Sequence, residues 1–224
     1  MVLLEGVHAV KHALRFGAEL THLVSWDVAE LARLLTRLAP DVKDAVLTTV
    51  VAVPPDDAAL LAPKGVPSPV IGVAARPDTT AADVLTARGL LLVLEQPRHL
   101  GNVGAVIRIA AAVGIGGVLV VGGADPWHPT AVRAGAGLQF ALPVARTETL
   151  GATTRTLVAL DAGGDELAAG SLTDDMARIV GTERGGLSPE LRSRCQRRVG
   201  LAMRPGVSSL NLATAVAAAL YRGH

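Results

Sequence analysis

The 224-residue sequence is short of several things at once. Aromatic residues make up only 2% of it, so any core must be built from Ala, Val and Leu packed at close range. One cysteine, Cys195, excludes an intrachain disulfide and any multi-cysteine metal cage. It stands among arginines and reads as a residue of an exposed helix rather than a nucleophile. No uncharged apolar run approaches the length of about 18 residues that a membrane span needs. Met1–Gly6 lacks the basic segment and apolar stretch of a secretory signal, so a cytoplasmic protein with no membrane contact is the expectation. Net charge is +1, which withholds the bulk signature of a nucleic-acid binder and leaves that role to local patches. Lysine is absent after Lys64, so later anion contacts would fall to arginine, whose planar fork suits phosphate.

What is present divides in two. Residues 1–77 read as a small α/β unit: a helix near Gly6–Phe16, a strand His22–Ser25, a helix Val28–Ala39, an apolar stretch Ala45–Val53 and a strand Val70–Ala74. In the second helix Leu31, Leu34, Leu35 and Leu38 repeat at helical spacing while Arg33 and Arg37 face away. Residues 78–89 read as a linker that includes a short helix, and residues 90–224 as an open α/β domain. There Leu90–Leu94 suits a strand buried on both faces, Gly104–Val113 a helix and Val118–Val121 the next strand, a βαβ unit that calls for a parallel sheet. Further strands are expected at Ala141–Val144, Thr156–Leu160, Ala177–Val180 and Arg198–Leu201.

Three segments of the larger domain carry polar residues where α/β folds bind ligands. The first is Asn102-Val103-Gly104-Ala105-Val106-Ile107-Arg108, with Asn102 where a helix cap would stand and Arg108 inside the helix. The second is Gly181-Thr182-Glu183-Arg184-Gly185-Gly186-Leu187-Ser188, a glycine-rich loop after a strand, with Ser188-Pro189 as the cap and first residue of a helix. The third runs from Leu201-Ala202-Met203-Arg204-Pro205-Gly206-Val207-Ser208-Ser209-Leu210-Asn211 into the apolar stretch Leu212–Leu220, which must be buried in the core or against a partner. Ser208 and Ser209 are its cap candidates. No phosphate loop and no well-spaced dinucleotide fingerprint occurs, so ATPase and dehydrogenase readings lose support.

In this order and spacing the three segments resemble the signature motifs of the SpoU (TrmH-like) family of SPOUT RNA methyltransferases. Ala131–Gly137 with Leu142-Pro143-Val144 is similar to a further loop and strand of that family. The resemblance implies a C-terminal, trefoil-knotted parallel-sheet domain preceded by a small ribosomal-protein-like RNA-binding domain, and an obligate homodimer. It implies S-adenosylmethionine held by Gly181, Thr182, Leu201, Met203, Ser209 and Leu210, and 2′-O-methylation of an RNA ribose served by Arg108, Asn102, Glu183, Ser209 and Asn211. Arg108 would act as base or as stabiliser of the developing alkoxide, often from the neighbouring subunit; a guanidinium's reluctance to lose its proton leaves both roles open. The sequence departs from the family at His99-Leu100-Gly101 and at Leu201-Ala202-Met203, the former as in the thiopeptide-resistance branch. No extension of the tRNA-modifying branch follows the last helix, which favours ribosomal over transfer RNA and leaves an antibiotic-resistance role open.

On the first helix His8, Lys11, His12 and Arg15 share a face that could grip phosphates, and Arg184, Arg192, Arg194, Arg197, Arg198 and Arg204 form a second basic cluster. Lys11, Arg15, Arg133, Arg184 and Arg197 are the candidate RNA contacts. Glu5, His8 and His12 have ligand-like spacing but lack a further group, so no metal is expected. The rival readings are a tRNA 2′-O-methyltransferase, a knotted enzyme that methylates a base, and a catalytically idle RNA-binding or assembly protein.

Overall fold

Short apolar runs punctuated by glycine and proline become the strands of two sheets. The computed structural model describes residues 1–61, 65–66, 68–182, 185–207 and 209–223, with backbone alone for 58 and 59. The first sheet is mixed, in the order β1-β4-β2-β3, from β1 (Val2–Glu5), β2 (Leu20–Ser25), β3 (Val51–Ala52) and β4 (Ile71–Ala74). β4 lies antiparallel to β1 and β2, and β3 joins β2 in parallel. Helices α1 (Gly6–Arg15), α2 (Val28–Leu38), α3 (Lys43–Thr49) and α4 (Pro55–Leu61) connect the strands. α2 starts at Asp27, whose carboxylate accepts from the Glu30 amide at 2.8 Å, a cap worth about 1 kcal/mol. It buries Leu31 and Leu35 completely or nearly so.

Three features of this unit differ from the sequence expectation. β1 is a strand of four residues whose partner, β4, lies far along the chain, so no local pattern announced it. The apolar stretch from Ala45 divides into α3 and β3, with the Thr48 and Thr49 hydroxyls in the helix donating to carbonyls four residues back. α4 begins with Pro55 and two aspartates, Asp56 and Asp57, a proline and acidic first turn that suit a helix N-terminus.

The second sheet is wholly parallel, in the order β10-β8-β9-β5-β6-β7. Its strands are β5 (Leu91–Glu95), β6 (Gly117–Val121), β7 (Val144–Thr147), β8 (Thr156–Glu166), β9 (Met176–Val180) and β10 (Arg197–Gly200). β5 sits mid-sheet between β9 and β6, which explains a strand buried at every position. One face carries α6 (Leu100–Val113) and α9 (Leu212–Gly223); the other packs against α5 (Ala81–Thr86) and α8 (Pro189–Arg194). Between them α7 (Pro129–Gly135) lies against α6. The expected strand at Ala141–Val144 is displaced: Leu138–Ala141 is a 3₁₀ turn, Pro143 has no amide for a ladder, and pairing starts at Val144. α6 also starts earlier than expected, after His99, so Asn102 is its third residue and not its cap.

Gly104 of the first motif is a packing residue. A methyl group there would collide with the Ala131 carbonyl and with Ala134 and Gly135 of α7, so the two helices meet nearly backbone to backbone. The two sheets are fastened through α7. Arg133 donates twice to the buried Glu5, at 2.7 and 2.5 Å. His12 Nδ1 lies 2.7 Å from the Ala136 carbonyl, and since a carbonyl only accepts, that nitrogen carries the proton. Residues 78–89 are equally bound: Thr80 and Asp83 form a capping box on α5, and Arg155 donates to the carbonyls of Leu85, Ala87, Gly89 and Asp174.

Candidate active site

Parallel strands place their ligand-binding loops beyond their carboxyl ends, and here the second and third motif segments follow β9 and β10. After β9 the chain turns back tightly: Thr182 and Gly186 exchange backbone hydrogen bonds at 3.0 and 3.1 Å, and Gly181 lies so close to Gly186 and Leu187 that no side chain fits. Ser188 caps α8 through the Leu191 amide, as its place before Pro189 predicts. Its own amide donates to the buried Glu95 carboxylate at 2.8 Å, tying this loop to the end of β5.

These segments enclose a cleft of about 390 Å³, within the range of roughly 300–1,000 Å³ usual for small-molecule sites. Its lining includes Gly181, Thr182, Leu201, Met203, Ser209 and Leu210, the six residues expected to hold S-adenosylmethionine. Leu160, Val180, Leu212 and Ala215 make the apolar floor. Asp161 is the cleft's carboxylate. Arg192 pairs with its Oδ2 at 2.8 Å and the Gly163 amide donates to its Oδ1 at 3.0 Å; among the described residues Oδ2 has no in-line hydrogen-bond donor. An apolar floor, a glycine edge and a carboxylate with acceptor capacity left at Oδ2 suit a ligand with a flat apolar part and donor hydroxyls, as S-adenosylmethionine has. Asp161→Asn is therefore expected to weaken S-adenosylmethionine binding about ten-fold, by loss of a charge-assisted hydrogen bond. Calorimetric titration with the cofactor checks it, and unchanged affinity would remove Asp161 from the site.

The proposed catalytic residues are only partly gathered. Asn211 donates to Asn102 Oδ1 at 3.1 Å, and its own Oδ1 accepts from the Ala213 and Thr214 amides. Asn211 thus caps α9, a role expected of a serine. Ser209 is exposed at the cleft. Glu183, Arg184 and Ser208 lie outside the described residues. Arg108 stands apart, six residues beyond Asn102 and so about 9 Å along the helix and about 240° around it. It lines a different cleft, with His8, Arg37 and Arg133, so within one chain Asn102 and Asn211 do not orient it.

Several expected RNA contacts are occupied inside the fold. Lys11 is buried and donates to the Leu38 carbonyl at 3.3 Å, Arg15 makes a bidentate pair with Asp41, and Arg133 is held by Glu5. Arg15 in turn holds the Asp41 carboxyl at about 2. Glu5 and His12, two of the three residues with ligand-like spacing, are likewise engaged. Arg197 remains exposed on β10. Cys195 follows α8 rather than lying in an exposed helix; it is half-buried, its thiol donates to the Leu191 carbonyl at 3.2 Å, and burial pushes its pKa up. Asp161 and Glu95 were missed from the sequence. Each ends an apolar strand run with an acid, a signal that could have flagged both.

The SpoU rRNA Methylase family model matches residues 89–221. The chain belongs to that family. This SpoU protein is 30% identical over 239 aligned positions to a 23S rRNA (uridine(2479)-2′-O)-methyltransferase of Streptomyces viridochromogenes, covering 98% of this chain and 80% of that one. Its fold matches the crystal structure of the SpoU methyltransferase AviRb from Streptomyces viridochromogenes in complex with the cofactor AdoMet, with a TM-score of 0.79 and 29% identity, covering 99% and 88% of the two chains. It also matches an AdoMet-bound rRNA methyltransferase from Sinorhizobium meliloti, with a TM-score of 0.76 and 25% identity, covering 99% and 86%.

Proposed function

We propose that this SpoU protein uses S-adenosylmethionine to methylate the 2′-oxygen of a ribose in 23S-type ribosomal RNA. The observation that carries the reading is the near-full-length likeness to a 23S rRNA 2′-O-methyltransferase, in a chain whose second and third motif segments line one cleft of cofactor size. Gly181, Thr182, Leu201, Met203, Ser209 and Leu210 would hold the cofactor there, with Asp161 accepting from its donor groups. Bound, S-adenosylmethionine supplies an electrophilic methyl group. The chain's own work is to seat the ribose in line and to manage the proton of its 2′-hydroxyl, a weak nucleophile. Asn102 and Asn211, joined by a hydrogen bond at the mouth of α9, would orient the ribose.

Arg108 lies outside this cleft, which favours a homodimer in which it serves the partner's cofactor site. Val207, Leu210 and Tyr221, exposed on and before α9, offer the apolar surface such a dimer would bury. The knotted path belongs to the same proposal: after β10 the chain returns to line a cleft that β8 and β9 already bound. No helix among the described residues is long and apolar enough to cross a membrane, in keeping with a cytoplasmic site of action.

The test is transfer of labelled methyl from S-adenosylmethionine to 23S rRNA, with light scattering on the same preparation. Label in a dinucleotide that resists alkaline hydrolysis is the expected result, from a dimeric protein. Label on a base, label confined to tRNA, or no transfer would each overturn the assignment, and a dilute native monomer would overturn the shared site.

A further inference from the structure

A second cleft of about 390 Å³ opens where the N-terminal unit meets α6 and α7. Its polar lining comes from both sides: Glu5, His8 and Arg37 from the N-terminal unit, Arg108 from α6 and Arg133 from α7. Glu5 and Arg133 neutralise each other in their bidentate pair. Arg37 and Arg108 are both exposed, and neither has an ion pair or hydrogen bond among the described residues. Two guanidinium groups from separately folded sheets therefore converge on one concavity with no carboxylate left to cancel them.

His8 lines the same cleft. Burial, then the nearby Lys11 and Arg108, lower its pKa and keep it neutral at physiological pH, so it offers a hydrogen bond rather than a third charge. Val7, Leu34 and Leu38 give the cleft an apolar wall. Planar guanidinium donors left uncancelled in a concavity suit a backbone phosphate, which such side chains bind with their paired N–H groups.

We propose that this cleft seats one backbone phosphate of the RNA substrate, with Arg37 completing from the N-terminal unit a site that Arg108 begins. The proposal rests on the RNA-methyltransferase reading. It makes Arg37 a positioning residue and gives the fastening of the two sheets a purpose: Glu5–Arg133 and His12–Ala136 hold Arg37 in register with Arg108.

The test is binding of in vitro transcribed 23S rRNA to the full chain across a salt series, for wild type, Arg37→Gln and Arg33→Gln. Arg33 lies on the same helix, pairs with Glu30 and does not line the cleft. Arg37→Gln is expected to weaken RNA binding about ten-fold and to reduce the salt slope by about one, with Arg33→Gln close to wild type. KM for RNA should rise while the affinity for S-adenosylmethionine and kcat at saturating RNA hold. Equal RNA affinity and slope in wild type and Arg37→Gln would overturn the proposal, as would the same loss in both variants, which would report bulk charge alone. Inorganic phosphate bound by wild type as tightly as the RNA would name a free anion as the ligand and also overturn it. These binding data stand apart from methyl transfer, so wild type that binds RNA through Arg37 yet transfers no methyl would sink the enzyme and spare the cleft.

Discussion

Arg108→Ala is expected to lower kcat for methyl transfer to 23S rRNA by about 10²–10⁴-fold, the usual worth of a positioned group that manages a transferred proton. S-adenosylmethionine affinity should not change, because Arg108 lines none of the cleft proposed for the cofactor. Stability should not change either, since the side chain is exposed and carries no ion pair among the described residues. The variant thus separates chemistry from folding and from cofactor capture. Arg108→Lys separates the two roles open to the residue. An ammonium keeps the positive charge that stabilises an alkoxide, so partial recovery of kcat would favour electrostatic stabilisation. Recovery that grows with pH above neutrality would instead favour a base, since a lysine sheds its proton more readily than an arginine. Full activity in Arg108→Ala would remove the residue from the mechanism.

Arg178→Met is expected to make the protein more stable, by about 1–4 kcal/mol. Arg178 lies in β9 between Leu92 and Val158 of the neighbouring strands and is wholly buried. Among the described residues none of its three guanidinium nitrogens has a hydrogen-bond partner. Burial, and secondarily the charge of Arg197, push its pKa down to about 10. Methionine keeps an unbranched apolar stem, adaptable enough to fill the space in part, and removes the charge. For a chain of this size the gain would raise Tm by about 2–4 °C for each kcal/mol. The pH dependence has a definite sign. Below about pH 10 the folded protein carries the charge in an apolar site and is penalised in full. Above that value the folded state sheds its proton before the unfolded chain does, so the unfolded state binds more protons and stability rises with pH. The advantage of Arg178→Met should therefore be greatest at neutral pH and shrink above about pH 10. Urea unfolding of both proteins across that range measures it. A destabilised variant would show that the charge has a partner worth more than its desolvation.

The elements legible in the sequence were those with local causes. β5 and β6 are apolar runs bounded by glycine or acid, and α2 has both its leucine stripe and its Asp27 cap within one stretch of chain. The six residues expected to hold the cofactor fall in two contiguous motifs, and they line one cleft. What escaped was decided through space. β1 needs β4, and Asn102 looked like a cap because nothing local shows that α6 starts at Leu100. Arg37 was read as facing solvent from its own helix, and only the docking of α6 and α7 turns that solvent into a cleft shared with Arg108. Lys11 failed in the opposite sense: a cation on an apparently polar face was covered by α2 and given a carbonyl to hold.

The cleft proposed for the cofactor draws its walls from β8 and β9 and from residues on both sides of the turn into α9. A growing chain has most of the large sheet in hand before any such cleft exists, and closing it requires β10 to pair with the earlier β8. Contacts so distant in sequence form late and slowly. Cofactor capture is then also the seal on folding: each increment of S-adenosylmethionine above its Kd holds the last segment shut, by about 2.7 kcal/mol at a hundred-fold excess. A cell depleted of methyl donor would lose finished copies of this protein as well as the activity of those that remain.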